Sequence, residues 1–172
     1  MPEQILISLN DVQSFRRVDP KFNSDRFNVF ANEVQLVNLR DLFGQSLYYA
    51  FMADARTSGI YADLLNGKSY QYASETINYY GLTPVLCYWW LAIAAREGDL
   101  FLSQHGAINF VNNPQQNFES AKEKQQVVQS YMETAQVYAN DVVKFLNTNS
   151  SNYPLWKGGK EENKTNFVSF KI

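Results

Sequence analysis

The chain holds a single histidine, His105, and a single cysteine, Cys87, and these two residues bound most of the chemistry it can do. A histidine-dependent triad would have to use His105, yet no Gly-x-Ser-x-Gly elbow accompanies it. Beside Gly106 it reads as a loop residue. A zinc site would have to lean on carboxylates, and no His/Asp/Glu spacing offers a ligand set. Cys87 lies within Val85-Leu86-Cys87-Tyr88-Trp89-Trp90, where a small buried thiol is the simpler reading and a redox role the alternative. One cysteine also excludes an internal disulfide. Glu97 and Asp99 flank Gly98 at a helix end, where paired acids are ordinarily solvated. Glu161-Glu162 falls in a flexible stretch that cannot hold a carboxylate still for acid–base work. Gly158-Gly159 does not sit between a strand and a helix, so a phosphate-cradling loop has no support. The sequence therefore predicts no catalytic residue, no metal and no cofactor, and puts an enzyme behind an assembly protein.

Arg16, Arg17, Lys21 and Arg26 make the densest basic cluster. They could touch DNA or an acidic partner surface, against the plainer reading of solvated cations in a mixed-charge chain. A net charge of −2 and a pI near 5.4 give no broad electropositive face for nucleic acid. Eleven Tyr and twelve Phe are many for this length, with abundant Asn and Gln; aromatic surfaces with adaptable amides are common where proteins meet proteins, and filling the core is the plainer use of the same residues. At 172 residues the chain suits one domain and buries about two-thirds of its unfolded surface. Met1-Pro2-Glu3-Gln4 has neither the basic start nor the apolar run of a signal peptide. The longest apolar stretch, Pro84 to Ala95, falls short of the ~20 residues that span a bilayer. These features predict no membrane contact and residence in a cytoplasm unless a larger particle carries the protein out.

The fold class that follows is mainly α, a helical bundle with a small β-hairpin or extended loop and an extended C-terminal arm. Residues 4–9 alternate enough for a short strand with Ile5, Ile7 and Leu9 on one face, and Ser14 to Pro20 reads as a loop. Asn23-Ser24-Asp25 supplies an N-cap for a helix whose apolar face is Phe27, Phe30, Ala31, Val34 and Val37, with Gly44 as its stop. A second helix, about Gln45 to Arg56, buries Leu47, Tyr48, Phe51, Met52 and Ala55. After the turn at Thr57-Ser58-Gly59, a short helix from Ile60 to Leu65 ends at Asn66-Gly67. Residues 69–80 suit a hairpin or an extended loop. Thr83 as N-cap and Pro84 at the first helical position open a helix that is apolar nearly all round, which should lie at the centre and end at Gly98. Leu100-Phe101-Leu102 could prolong helical structure, and Gly106 to Val111 looks extended. The longest helix starts near Asn117, with Phe118, Ala121, Val128, Tyr131, Ala135, Tyr138, Val142 and Phe145 at three- and four-residue steps. Tyr153-Pro154-Leu155-Trp156 reads as an apolar clasp. The division expected is 1–156 for the helical domain and 157–172 for a flexible linker and arm.

Several stretches together carry a resemblance. They are Leu39-Arg40-Asp41-Leu42-Phe43-Gly44, Tyr61-Ala62-Asp63-Leu64-Leu65-Asn66-Gly67-Lys68-Ser69-Tyr70, Gly81-Leu82, Tyr88-Trp89-Trp90, Gly106-Ala107-Ile108-Asn109-Phe110, and Phe145-Leu146-Asn147 followed by Tyr153-Pro154-Leu155-Trp156. In this order they resemble small structural proteins of tailed phages and prophages of gut Bacteroidales, including crAss-like phages, which are similar to head–tail connector (adaptor) proteins. The resemblance covers most of residues 4–156. It implies a virion protein made in the host cytoplasm, stacked as a closed ring of about twelve copies. Such a ring docks beneath the portal protein, meets tail or further ring proteins, and lets genomic DNA pass through its channel without specific binding. It implies no catalytic residues. Another head-completion or tail-terminator role is the alternative, and a small helical enzyme or regulatory binding module a more distant one.

The arm lies beyond the part that carries the resemblance and is argued from pattern alone. Val168, Phe170 and Ile172 alternate with Phe167, Ser169 and Lys171, so Asn166 to Ile172 could add to a neighbour's sheet edge through main-chain hydrogen bonds. A disordered tail is the alternative. These seven residues, with Tyr153 and Trp156, are the candidate protein interface.

Overall fold

The structure, a computed structural model, describes residues 4–57, 59–97 and 121–158 together with two three-residue strands between the last two segments. Helices account for most of it. In order they are α1 (Leu9–Phe15), α2 (Ser24–Glu33), a π-helical stretch (Val34–Leu39), α3 (Arg40–Asp54), α4 (Gly59–Asn66), α5 (Thr83–Glu97) and α6 (Ala121–Thr148). The hairpin of β1 (Lys68–Tyr72) and β2 (Glu75–Tyr79) precedes α5, and the antiparallel pair β3 (Phe101–Ser103) and β4 (Gly106–Ile108) follows it.

α5 organises the core. Every residue from Pro84 to Ala95 is buried, as an all-round apolar helix must be. Tyr88 and Trp90 are two positions apart and therefore project to nearly opposite sides. Trp90 takes the rings of Phe22, Phe27 and Phe30 at 5.1, 5.0 and 6.1 Å, and its Nε1–H donates to the Phe27 carbonyl at 3.2 Å. Tyr88 faces Tyr138 and Tyr131 at 5.8 and 6.3 Å. α2 and α6 thus flank α5 on its two sides. α6 runs unbroken for 28 residues, about 42 Å, and lies antiparallel to α5. Tyr79, just before α5, stacks on Phe145 at 4.2 Å, while Ile93 and Arg96 near the end of α5 share a groove with Val128 and Met132.

The N-terminal strand expected over residues 4–9 does not form. Leu6 and Ile7 are adjacent and both buried, which a one-sided strand does not allow. Ser8 instead caps α1: its hydroxyl accepts from the Asp11 N–H while Asp11 accepts from the Ser8 N–H, the reciprocal arrangement of a capping box. α1 accordingly takes up residues 9–15, part of the stretch read as loop.

What holds residues 4–8 is a side chain. Gln35 is wholly buried; its Oε1 accepts from Leu6 N–H at 2.7 Å and its Nε2 donates to the Gln4 carbonyl at 3.1 Å. Arg56 adds a bond to the Ile5 carbonyl at 3.0 Å. Gln35→Leu keeps the volume but strands a buried N–H, so it should cost about 2–3 kcal/mol. Chemical denaturation checks the cost, and hydrogen exchange at Leu6 should accelerate selectively.

The π-helical stretch also corrects the apolar face assigned to α2. Phe27, Phe30, Ala31 and Val34 are buried as expected, but Val37 is 51% exposed and Leu39 is fully buried instead. A π turn inserts one residue and shifts the phase of everything after it. Gly44, at φ 72° and ψ 161°, interrupts the helical backbone within α3, so the expected stop appears as a break between two joined segments. Leu82 is the residue that caps α5, since its carbonyl accepts the Leu86 N–H at 3.0 Å. Thr83 and Pro84 are the first two helical positions, so the helix begins one residue earlier than the sequence predicts. Phe101–Ser103 is a strand, not a continuation of helix, and Gly106–Ile108 is extended as expected. Residues 98–100, 104–105 and 109–120 lie outside the described residues, and with them Gly98, His105 and the start proposed at Asn117.

Candidate functional site

The largest concavity among the pockets described is a groove of about 590 Å³ between the π-helical stretch, α3, α5 and α6. Val37, Trp89, Ala92, Ile93, Val128 and Met132 give its apolar lining, and Glu33, Arg40, Asp41 and Arg96 its charged rim. Arg96 ties α5 to α2 through Glu33 at 3.1 Å and also holds Glu97 at 2.9 Å. The groove has the size of a ligand pocket. Its rim carries no nucleophile–base pair, and among the described residues no group of three His, Cys, Asp or Glu could hold a metal. No single stretch of sequence marks this groove, because its lining comes from several elements, Val37 and Asn38 of the π-helical stretch and Gly44 at the break in α3 among them.

Cys87 is buried, and burial, with a smaller contribution from Asp11, pushes its thiol well above the ordinary value. A thiol held protonated is a poor nucleophile, so the side chain acts as packing.

The clasp expected at the C-terminal end closes on the chain's own fold. Tyr153 is buried; its hydroxyl donates to the Ile60 carbonyl at 2.9 Å and its ring meets Phe145 at 5.9 Å and Tyr61 at 6.3 Å. Trp156 donates its Nε1–H to Asn147 Oδ1 at 2.8 Å. Phe145 is the hub, with Tyr70 at 5.3 Å and Tyr79 stacked on it. Of this clasp, Pro154, Leu155 and part of Trp156 are left for a partner to touch. The other interface candidates, Asn166, Phe167, Val168, Ser169, Phe170, Lys171 and Ile172, lie outside the described residues.

This aromatic hub has a titration consequence. The Tyr79 hydroxyl donates to the Leu64 carbonyl at 2.8 Å, and burial, then Tyr153, Asp141 and Tyr70, holds its pKa well above the ordinary tyrosine value. Its stabilising contribution is therefore complete below about pH 10 and is lost as pH rises toward the folded value, because the unfolded chain gives up the proton first. Denaturation midpoints should fall above that pH, and Tyr79→Phe should flatten the fall while costing about 1 kcal/mol at neutral pH.

The four basic candidates sit around α1, α2 and their connection, all exposed. Arg16 lies 5.3 Å over the Tyr88 ring and donates to the Phe15 carbonyl at 2.8 Å. Arg26 lies 5.7 Å over Phe30, while its N–H is capped by Asn23 Oδ1 at 2.9 Å. The Lys21 N–H bonds Asp19 Oδ1 at 2.8 Å. Two of the four cations thus cover aromatic rings of the core, a packing role for Arg that its flat guanidinium suits. Arg17 is exposed beside them.

Each flank of the three-helix layer exposes one aliphatic side chain. Val29 on α2 and Val137 on α6 are both 61% exposed. Each lies well over 100° around its helix from the buried stripe, by the 100° step per residue. Because α2 and α6 pack on opposite sides of α5, the two valines face away from each other. Their helix-surface neighbours are polar and partly charged: Asp25, Arg26, Asn32 and Glu33 around Val29, and Glu133, Thr134, Asn140 and Asp141 around Val137.

A protein-family model described as "Family of unknown function (DUF6712)" matches residues 39–166. The chain belongs to this family. The match begins at the last residue of the π-helical stretch and takes in α3 through the clasp, leaving α1 and α2 outside. The DUF6712 portion therefore includes α5 and α6 and the whole Phe145 hub. No curated protein matches the chain, and no solved structure does. No helix among the described residues is long and apolar enough to cross a membrane.

Proposed function

We propose that this protein is a non-enzymatic structural subunit of a tailed-phage virion, a head–tail connector that closes into a ring beneath the portal and continues the DNA channel toward the tail. The observation that carries the reading is the pair of opposed flanks. A ring subunit meets its neighbours head-to-tail through two different surfaces, so it needs a complementary patch on each side. Val29 and Val137 each place one exposed apolar side chain in a polar, charge-bearing surround on opposite sides of α5, where complementary charges on the two flanks would set how neighbours meet. The ordered resemblance from Leu39 to Trp156 supplies the phage assignment and the copy number of about twelve. A mildly acidic chain also suits a channel wall, since tight DNA binding needs many Lys/Arg–phosphate contacts.

Residence at the head–tail junction, partnership with the portal and tail, and the passage of DNA without specific binding follow from the same reading. Introducing a charge on either flank tests it. Val29→Glu and Val137→Glu should each block assembly while leaving thermal stability within about 0.5 kcal/mol, because both side chains are exposed. Mixed together, the two variants should at most form dimers through the one intact pair of flanks. Full assembly by both single variants would remove the support that the flanks give.

A further inference from the structure

We propose that the outer edge of β1 is a docking site for the chain's own C-terminal segment, Asn166–Ile172, which adds there as a third strand. The hairpin has two unlike faces. Tyr70, Ile77 and Tyr79 share the face turned to Phe145, while the other face is a polar ladder in which Ser69 bonds Asn78 and Gln71 bonds Thr76, each at 2.7 Å. β2 packs along α6, so β1 is the outer strand. With a two-residue turn at Ala73-Ser74, Tyr72, Tyr70 and Lys68 exchange bonds across the ladder and the N–H and C=O groups of Ser69 and Gln71 point outward. Among the described residues no backbone hydrogen bond meets that edge. An isolated two-stranded ribbon with an open edge is a ready template for another strand.

The position of the chain's exit says what covers it. Tyr153 meets Phe145, the ring on which the hairpin also rests, and Gly158 at φ 78° is the last residue described. Residues 159–165 give a tether of at most about 25 Å, which starts from the same aromatic hub that the hairpin rests on. The segment's alternation fits the apolar face: Val168, Phe170 and Ile172 would extend it beyond Tyr72, which is 57% exposed, while Phe167, Ser169 and Lys171 would fall on the other side, with Phe167 at the end of the segment. This docking does not depend on the phage reading, which could fail while the edge is still occupied.

The test is hydrogen exchange at the Ser69 and Gln71 amides in the full chain and in a full-chain Ser169→Pro/Phe170→Pro variant. The two prolines remove a donor from whichever alternating position faces the edge. Both amides should exchange at least about tenfold faster in the variant, with the α5 amides unchanged as the check on folding. Protection that disappears on dilution makes a second copy the donor; protection that persists makes it the same copy, and either outcome supports the site. Equal rates at Ser69 and Gln71 in the two proteins would overturn it.

Discussion

Gly81→Ala should destabilise the protein by about 2–5 kcal/mol, combining the strain of a left-handed backbone with that of an overfilled site. Gly81 has φ +82°, and a Cβ there would stand 2.4 Å from the Leu65 carbonyl oxygen and 2.7 Å from Gly67 N. Gly67, at φ +95°, meets the other side of the same crossing, where a Cβ would fall 2.4 Å from the Tyr79 oxygen. The two glycines let the end of α4 and the exit of the hairpin pass in backbone contact, sealed by the Leu82 N–H to Leu65 carbonyl bond at 3.0 Å. Neither side of this contact is a flexible side chain that can yield. Gly67→Ala should therefore cost as much, and the double variant less than the sum, since both relieve the same crossing. Urea denaturation of the three variants checks both statements.

Trp90→Ala should cost about 3–5 kcal/mol. The indole is fully buried and fills the junction of three phenylalanines from α2 and the loop before it. Its loss also leaves the Phe27 carbonyl without the Nε1–H donor. Set against a typical domain stability of about 5–15 kcal/mol, this loosens α2 before α6, because Tyr88 and its partners face the other way. Hydrogen exchange should show that order: amides of α2 opening first, those of α6 retaining protection. Trp90→Phe should recover much of the packing while still lacking the hydrogen bond.

The parts of this fold that could be read from sequence are those where one local signal agrees with the tertiary outcome. α5 announces itself by being apolar on every side, α6 by a long three-and-four spacing and α2 by the capping stretch Asn23-Ser24-Asp25, while residues 69–80 suited a hairpin or an extended loop and form the hairpin. Elsewhere one local pattern serves two structures equally. Ile5, Ile7 and Leu9 alternate, but Ser8-x-x-Asp11 is a helix start, and that signal was the better guide. Val37 continues a helical stripe that the π turn displaces by one residue. Gln35 gives no warning beyond being an amide on an apolar stripe, and its partners are backbone groups some thirty residues away. The groove beside Trp89 is lined by residues from several elements, so no spacing within one helix could reveal it. The opposed flanks became legible only when Tyr88 and Trp90 placed α2 and α6 on different sides of α5.

The measurement that bears most directly on the connector reading is the native mass of the full chain, alone and mixed with the portal of the same phage, over a range of concentrations. The account predicts a closed species of about twelve subunits, formed alone at high concentration or added as a ring to the portal. A single-subunit mass under every condition, with no mass added to the portal, would contradict it.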